Sequence, residues 1–249
     1  MHPFGEPVGF FAGDAEDGTS ELAAHEDMDL VRRTLLGFND GGQGFLRIYR
    51  PSPTAAFSPR DTTLANYAGA VDAVRELGFE PVERRAGGQL AVYDNNALVI
   101  DLVAPHAEPR LQVHERFERF ADVIAVSLMS LGVDARVGGL AGEYCPGDHS
   151  VNGEGKIKLA GIAQRIGRRG FHIGAVLSVA RSDRAKLAVA SAYKVLGMSF
   201  DPSTFGAVSD LAPHASFDVM RKAVLGEITA LYAASGHQAP HAPPQALSA

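Results

Sequence analysis

The 249-residue chain contains a single cysteine, Cys145, and the residues around it favour an exposed turn. Gly142 lies before it, Pro146-Gly147 follows it directly, and Lys158 comes thirteen residues later. A thiolate is a strong nucleophile towards acyl groups, and a nearby ammonium can favour the thiolate or hold the acyl carbonyl. These residue types at this spacing predict acyl-transfer chemistry, in which Cys145 supplies the attacking sulfur.

Both residues also have an ordinary interpretation. A lone cysteine in a cytosolic protein is often a small buried hydrophobe, and Lys158 could be a solvated strand residue. Buried cysteines usually sit in apolar periodic segments, whereas the neighbours of Cys145 include Glu143, Asp148 and His149. This setting favours a reactive thiol. The spacing leaves open whether Lys158 or His149 activates it.

Two glycine-containing segments are further candidates for the site. The run Arg84-Arg85-Ala86-Gly87-Gly88 joins two predicted strands, and its ordinary interpretation is a hairpin with exposed arginines. The functional interpretation is a flexible backbone wall against which an acyl chain or an adenylate can lie. Gly161, in the strand that contains Lys158, has no side chain and lets a substrate or another backbone approach closely.

Composition limits the possible partners. The formal net charge of -6 and a pI near 5.8 argue against binding dominated by nucleic-acid phosphates. One cysteine cannot form an internal disulfide, which fits a reducing cytoplasm. No signal peptide and no apolar run of membrane-spanning length is readable, and the histidines show no metal-ligand spacing. We therefore expect a cytoplasmic protein without metal, nucleic-acid or membrane partners.

The elements that must position these residues follow from hydrophobic periodicity and turn residues. Pro51, Pro53 and Pro59 mark a predicted loop, and strands 79–84, 90–93 and 97–103 form a predicted meander. Predicted helices are one capped by Ser20 and ended by Gly37, one capped by Asp61 and ended by Gly78, and those over 115–131, 183–196 and 217–232. The other predicted strands cover 45–50, 133–137, 156–165 and 171–180.

Strands grouped between helices, without regular βαβ alternation, predict an α+β fold. We expect one domain over residues 20–235, an irregular N-terminal arm over 1–19 and a disordered tail over 236–249.

Taken together, these segments resemble the biotin/lipoate protein ligase and octanoyltransferase superfamily. The resemblance spans about residues 20–235. Its most specific block is Cys145 followed by Lys158-Leu159-Ala160-Gly161-Ile162-Ala163-Gln164-Arg165, whereas the double glycine alone is a weak signal. Other matching segments are Phe45-Leu46-Arg47-Ile48-Tyr49-Arg50, Phe57-Ser58-Pro59-Arg60 and Arg84-Arg85-Ala86-Gly87-Gly88.

The resemblance implies a curved mixed, largely antiparallel sheet flanked by helices, with a tunnel for an octanoyl or lipoyl chain. It implies that Cys145 forms an acyl-thioester and passes the acyl group to a lysine of a lipoyl domain. Lys158 would be the cation that positions the acyl carbonyl or adenylate, and Gly87 and Gly88 would line the acyl channel. The substrate-binding residues expected on this basis are Arg84, Arg85, Gly87, Gly88, Tyr93, Gly161 and Gln164.

The chain departs from the ATP-dependent ligases of this superfamily in two places. Only Gly87 and Gly88 occur where those ligases show three glycines and then a histidine, and Tyr93 stands near the histidine's place. The sequence after Tyr232 is also too short for the extra C-terminal domain that many of them carry. Both departures favour a transferase that needs no cofactor.

The expected partners are acyl carrier protein or the glycine-cleavage H protein as donor, and dehydrogenase E2 lipoyl domains as acceptor. Two alternatives stay open: a lipoate protein ligase that uses ATP and Mg²⁺, and a non-catalytic subunit that binds lipoyl domains.

Overall fold

The structure is a computed structural model that describes residues 3–5, 9–11 and 18–234. Helices and strands alternate irregularly along these residues. In chain order they are β1 (Gly9–Phe11), α1 (Ala24–Gly37), β2 (Phe45–Tyr49), β3 (Thr54–Phe57), α2 (Tyr67–Glu76), β4 (Glu80–Glu83), β5 (Ala91–Tyr93), β6 (Ala97–Pro105), α3 (Val113–Met129), β7 (Ala135–Val137), β8 (Val151–Gly153), β9 (Ile157–Ile166), β10 (Gly170–Ser178), α4 (Asp183–Leu196) and α5 (Phe217–Ala234).

The strands form two sheets. The larger has seven strands in the order β1-β2-β6-β10-β9-β8-β7, and all of its pairs are antiparallel except β1 with β2. The smaller has the order β4-β3-β5, with β4 parallel and β5 antiparallel to β3. The predicted α+β class with a largely antiparallel sheet flanked by helices is therefore confirmed.

The two faces of the seven-stranded sheet have different neighbours. One face packs against α3 and α5 in a core that contains Ile100, Ile173 and Ile124. Successive side chains of a strand point to opposite faces, so the residues between these core positions face the other way. There, α1 and the smaller sheet cover the sheet, while α2 and α4 pack on the smaller sheet's far side. The site lies in the layer between the two sheets.

Two predicted helix caps are wrong. The side chain of Ser20 does not cap α1; it accepts a hydrogen bond from Arg47 (2.6 Å) and donates one to Asp27 (3.1 Å) in a buried cluster that fixes α1 on the sheet. Asp61 does not cap α2, which begins at Tyr67. Its carboxylate instead accepts the N–H of Ser58 at 2.7 Å and closes a tight turn. Local sequence offers these polar side chains as caps, but Ser20 binds partners in the buried cluster and Asp61 binds the turn three residues before it.

Part of the strand prediction is also wrong. The segment predicted as a proline-rich loop contains β3, which is the central strand of the smaller sheet and is buried throughout. The predicted meander does not form, because β4 and β5 both pair with β3 and β6 belongs to the larger sheet. A four-residue strand buried on both faces has no polar alternation to reveal it.

The ends of the chain are only partly described. Residues 9–11 form β1 rather than part of an irregular arm, and the predicted disordered tail over 236–249 lies outside the described residues. Within the part of the chain that the structure describes, none of the helices combines the length and apolar character that crossing a bilayer requires.

Candidate active site

A cavity of about 660 Å³ opens between the two sheets. The strands β6, β9 and β10 form one wall, and α1, β5 and the connections before β5 and around the cysteine form the others. The structure brings every residue that the sequence predicted for the site to the wall of this cavity: Arg84, Arg85, Gly87, Gly88, Tyr93, Cys145, Lys158, Gly161 and Gln164.

The backbone of Cys145 is held in an unusual conformation. The residue is half-buried and has a φ of 42°, in the left-handed region that few side-chain-bearing residues adopt. Its N–H donates to the hydroxyl oxygen of Tyr193 on α4 at 2.6 Å, and that hydroxyl donates to the carbonyl of Leu90 at 3.1 Å. Burial raises the pKa of Tyr193. The hydroxyl therefore keeps the proton that links the cysteine loop to the start of β5.

Two N–H donors point at the sulfur of Cys145. The backbone N–H of Gln89 lies 3.3 Å from Sγ and Nη2 of Arg84 lies 3.4 Å from it. The same Arg84 nitrogen donates to the carbonyl of Gln89 at 2.6 Å, which fixes the guanidinium beside the thiol. Both donors stabilise negative charge on sulfur, the guanidinium more strongly because it is itself charged.

Neither residue that the sequence offered as the activator is hydrogen-bonded to the sulfur among the described residues. Among the described residues, Lys158 and His149 make no hydrogen bond to Sγ, and the His149 ring stacks on Phe117 with centroids 5.0 Å apart. The structure thus assigns contact with the thiol to Arg84, which the sequence analysis had placed in the substrate-binding set.

The Lys158 ammonium is bound to the cysteine loop. The side chain is 1% exposed, and Nζ donates to Glu143 Oε1 at 3.0 Å, to the carbonyl of Tyr144 at 2.9 Å and to that of Cys145 at 2.8 Å. A Cβ at Gly161 would lie 3.4 Å from Lys158 Cε. What approaches Gly161 closely in this structure is therefore the lysine side chain.

Glu143 is the acceptor at the centre of this loop. Its Oε1 accepts from the Gly147 N–H (3.2 Å), the Ser150 hydroxyl (2.7 Å) and Lys158, while Oε2 accepts from the Leu140 N–H (3.0 Å). The sequence pattern did not predict this role. Its only sequence signal is an acidic residue two positions before the cysteine.

The two glycines before β5 are not equivalent. Gly88 has a φ of 98°, and a Cβ there would lie 2.9 Å from Sγ of Cys145 and 2.8 Å from Nη2 of Arg84. Gly87 has no atom within 4 Å of the corresponding position. The missing side chain at Gly88 therefore makes room for the thiol and the guanidinium.

The remaining predicted residues have structural partners as well as cavity positions. Gln164 accepts from Arg116 Nε at 2.6 Å and donates to the carbonyl of Val113, which ties β9 to α3. The carbonyl of Arg85 accepts from Arg165 at 2.6 Å, and the Arg85 side chain is exposed. Tyr93 is buried, and that burial raises its pKa.

A second polar group on the cavity wall was missed by the sequence analysis. His172 Nε2 lies 2.7 Å from Oδ1 of Asp101, and the Tyr49 hydroxyl donates to Oδ2 at 3.2 Å. Gly174 leaves the space for this pair, because a Cβ there would lie 2.8 Å from both partners. The sequence signal available for this pair was Asp101, an acidic residue in the middle of the apolar run of β6.

The described residues hold no group of three or more His, Cys, Asp or Glu arranged for a metal ion.

Comparison with known families identifies the class of this fold and site. The family model described as the lipoyl protein ligase A/B catalytic domain matches residues 25–228. The chain therefore belongs to the lipoyl protein ligase A/B catalytic domain family, as the resemblance predicted.

Curated relatives fall in one branch of this class. A protein from Exiguobacterium sp. is 28% identical over 160 residues, which cover 64% of this chain and 56% of the relative. Another from Anoxybacillus flavithermus is 30% identical over 139 residues, which cover 55% and 49%. Both are named octanoyl-[GcvH]:protein N-octanoyltransferase. The chain spans about half the length of the curated relatives it matches.

Solved structures show the same fold at low sequence identity. A lipoate-protein ligase A bound with ATP has a TM-score of 0.67 and 16% identity over 96% of this chain and 90% of its own. A bipartite lipoate protein ligase from Thermoplasma acidophilum, studied with its E2 lipoyl domain, has a TM-score of 0.63 and 17% identity over 91% and 84%.

Proposed function

We propose that this chain is an acyltransferase that moves an octanoyl group from a carrier protein, through a thioester on Cys145, to the lysine of a lipoyl domain. The observation that carries the proposal is the position of the Cys145 sulfur on the wall of the cavity, with Arg84 and the Gln89 N–H directed at it. The names of the curated relatives support octanoyl as the acyl group and the glycine-cleavage H protein as the donor.

The reaction would run in two acyl transfers. The Cys145 thiolate attacks the acyl carbonyl of the donor, the bond to the donor breaks, and the donor group leaves with a proton. The lysine amine of the acceptor then attacks the thioester, loses its proton and displaces the thiolate. Arg84 and the Gln89 N–H stabilise the sulfur anion at the start and again when it is released.

The cavity suits an alkyl chain next to the thiol. Its wall includes Val99 on β6, Val176 on β10 and Met28 on α1, which pack together on the inner face of the sheet. Apolar side chains on the wall of this cavity favour a saturated acyl tail, because its transfer from water into such a site is favourable.

The test compares three sources of acyl group with one apo lipoyl domain as acceptor. One tube holds octanoylated H protein without nucleotide, and a parallel tube holds octanoylated acyl carrier protein. A third holds free lipoate with ATP and Mg²⁺. We expect the acceptor to gain the mass of one octanoyl group in the nucleotide-free tubes. Modification in the third tube alone would show an ATP-dependent lipoate protein ligase, and lipoyl-domain binding without any modification would show an accessory subunit.

The contact between Arg84 and the thiol predicts a change in sulfur reactivity. Arg84→Met should slow alkylation of Cys145 by iodoacetamide at pH 7 by about tenfold, which corresponds to about 1.4 kcal/mol of lost thiolate stabilisation. The matched control is Arg168→Met, which removes an exposed guanidinium that does not line the cavity. Equal alkylation rates in the two variants would contradict the assignment of Arg84 to the thiol.

A further inference from the structure

We infer that the pair formed by His172 and Asp101 limits the length of the acyl chain that the cavity accepts. The pair lies on the cavity floor, which is the inner face of β6, β10 and β9. It gives the floor a polar end, and the ligand that fits in front of it is a saturated acyl group of octanoyl length. The inference rests on the proposed function, because it concerns the acyl group that Cys145 would receive there.

The cavity floor begins at the cysteine loop. Lys158 joins that loop to β9, because its Nζ donates to the Cys145 carbonyl at 2.8 Å and its Cε would lie 3.4 Å from a Cβ on Gly161. Gly161 pairs with Val176 of β10, and Val176 pairs with Val99 of β6. These three paired residues all line the cavity, so the row of the floor beside the cysteine loop is apolar.

The floor becomes polar further along the same strands. The row two residues on contains Ala163, Gly174 and Asp101, and the row after it contains His172. His172 Nε2 lies 2.7 Å from Oδ1 of Asp101, and Oδ2 accepts from the Tyr49 hydroxyl at 3.2 Å. The side chains of the pair are 14% and 10% exposed, and both line the cavity. Ala163 and Gly174 are small, so a chain that lies on this part of the floor meets the pair.

The spacing of the strands fits an octanoyl chain. From Gly161 to Asp101 the floor crosses two gaps of about 4.8 Å between strands and runs along two residues of about 3.3 Å each, so the backbones lie about 12 Å apart. An extended octanoyl chain measures about 9 Å from its carbonyl carbon to its methyl carbon, given C–C bonds of about 1.5 Å. The Asp101 side chain occupies part of the difference. The methyl end of an octanoyl group bound near the thiol would therefore reach the pair, and a longer chain would have to cover it.

An alkyl chain that covers the pair loses free energy. The described residues offer Nδ1 of His172 no hydrogen-bond partner, so this atom depends on solvent in the cavity. A methylene group placed over Nδ1 supplies no hydrogen bond, and a buried polar atom without one is costly. Over Val99 and Val176, by contrast, each added methylene group gains free energy from burial. The change from a gain to a cost at the pair gives the cavity its chain-length limit.

The experiment measures binding and transfer for a series of saturated acyl groups. Isothermal titration calorimetry gives the Kd of hexanoate, octanoate, decanoate and dodecanoate, and the transfer assay gives kcat/KM for the same acyl groups on the H protein. For the parent we expect affinity to rise about tenfold from hexanoate to octanoate, as two more buried methylene groups predict, and then to stop rising. Affinity that continues to rise through dodecanoate would overturn the inference.

The combined variant Tyr49→Phe, Asp101→Val and His172→Leu makes the polar end of the floor apolar. Changing all three residues together leaves neither a charge nor the tyrosine hydroxyl buried without its partner. In this variant we expect decanoate to bind about tenfold more tightly than octanoate, and kcat/KM to favour decanoyl over octanoyl. A profile that keeps the parent's limit would overturn the inference. So would an equal loss at every chain length, which is the result that a purely structural pair would give.

Two further variants complete the design. His25→Leu is the matched control, because it removes a histidine that lies 2.6 Å from Glu80 on the surface and does not line the cavity; it should leave the profile unchanged. If the combined variant does not fold, His172→Leu alone carries the test, since Asp101 keeps the hydrogen bond from Tyr49. We expect His172→Leu to raise the affinity for decanoate relative to octanoate at least about fivefold over the parent. An unchanged ratio would overturn the inference.

The two readouts separate this inference from the proposed function. Binding of the free acids needs no donor, no acceptor and no thiolate. A parent protein that shows the expected limit in calorimetry but transfers no octanoyl group would support the chain-length inference and contradict the proposed function. Transfer of octanoyl and dodecanoyl groups with equal kcat/KM would do the reverse.

Discussion

Cys145→Ala should lower octanoyl transfer by at least about 10³-fold, because it removes the chain's single cysteine and with it the proposed nucleophile. The residue is half-buried, and alanine loses the two hydrogen bonds to sulfur but keeps those of the N–H and carbonyl that hold the loop. We therefore expect the thermal unfolding midpoint and binding to a lipoyl domain to change little.

Intact mass measures the intermediate directly. The parent protein, incubated with octanoylated H protein and no acceptor, should gain the mass of one octanoyl group, and hydroxylamine should remove it because it cleaves thioesters. Cys145→Ala should gain nothing. If this variant retained full transfer activity, the thioester mechanism would be wrong and the ATP-dependent ligase would become the better hypothesis.

Gly88→Val should reduce transfer by about 10²-fold or more. A side chain here has to adopt a φ of 98°, and its Cβ would lie within 3 Å of both the Cys145 sulfur and the Arg84 guanidinium. The thiol would move away from its two N–H donors, and displacements of about 1 Å in a reacting group cost on this order. Backbone strain of about 1–3 kcal/mol accompanies the change, so unfolding must be measured in parallel.

Gly87→Val tests whether the double glycine makes room for the thiol or lines an acyl channel. It places the same side chain one residue earlier, where no atom lies within 4 Å of a Cβ. If the double glycine matters because of the thiol, Gly87→Val should lose far less activity than Gly88→Val. Equal losses would instead support the acyl-channel interpretation that the resemblance implied. Unchanged kinetics in Gly88→Val would show that the glycine pair serves only as a turn.

The fold was predictable where the hydrophobic period of a helix extends over many consecutive residues. The predicted helix over 183–196 matches α4 in both of its bounds, because it alternates apolar and polar faces over four turns and ends before a glycine. The strand β3 was not predictable, since four residues between prolines carry no period. Its position depends on β4 and β5, which reach it from separate parts of the chain.

The candidate site was predictable only in part for the same reason. Cys145, Lys158 and Gly88 could be identified because loop chemistry and the resemblance mark them in the sequence itself. Tyr193 and the pair of Asp101 with His172 could not, because each acts through a partner 48 or 71 residues away. Arg84 was identified as a site residue, but its contact with sulfur depends on a 61-residue separation that spacing does not encode.

The cysteine loop is fastened to both layers of the molecule. Lys158 on β9 of the larger sheet holds its carbonyls, while Tyr193 on α4 and the connection before β5 hold its N–H and sulfur on the side of the smaller sheet. The proposed nucleophile is thus hydrogen-bonded to both layers of the fold. If the layers separate, the hydrogen bonds that join the cysteine loop to them cannot all persist, so under the proposed mechanism we expect a partly opened molecule to accept no acyl group.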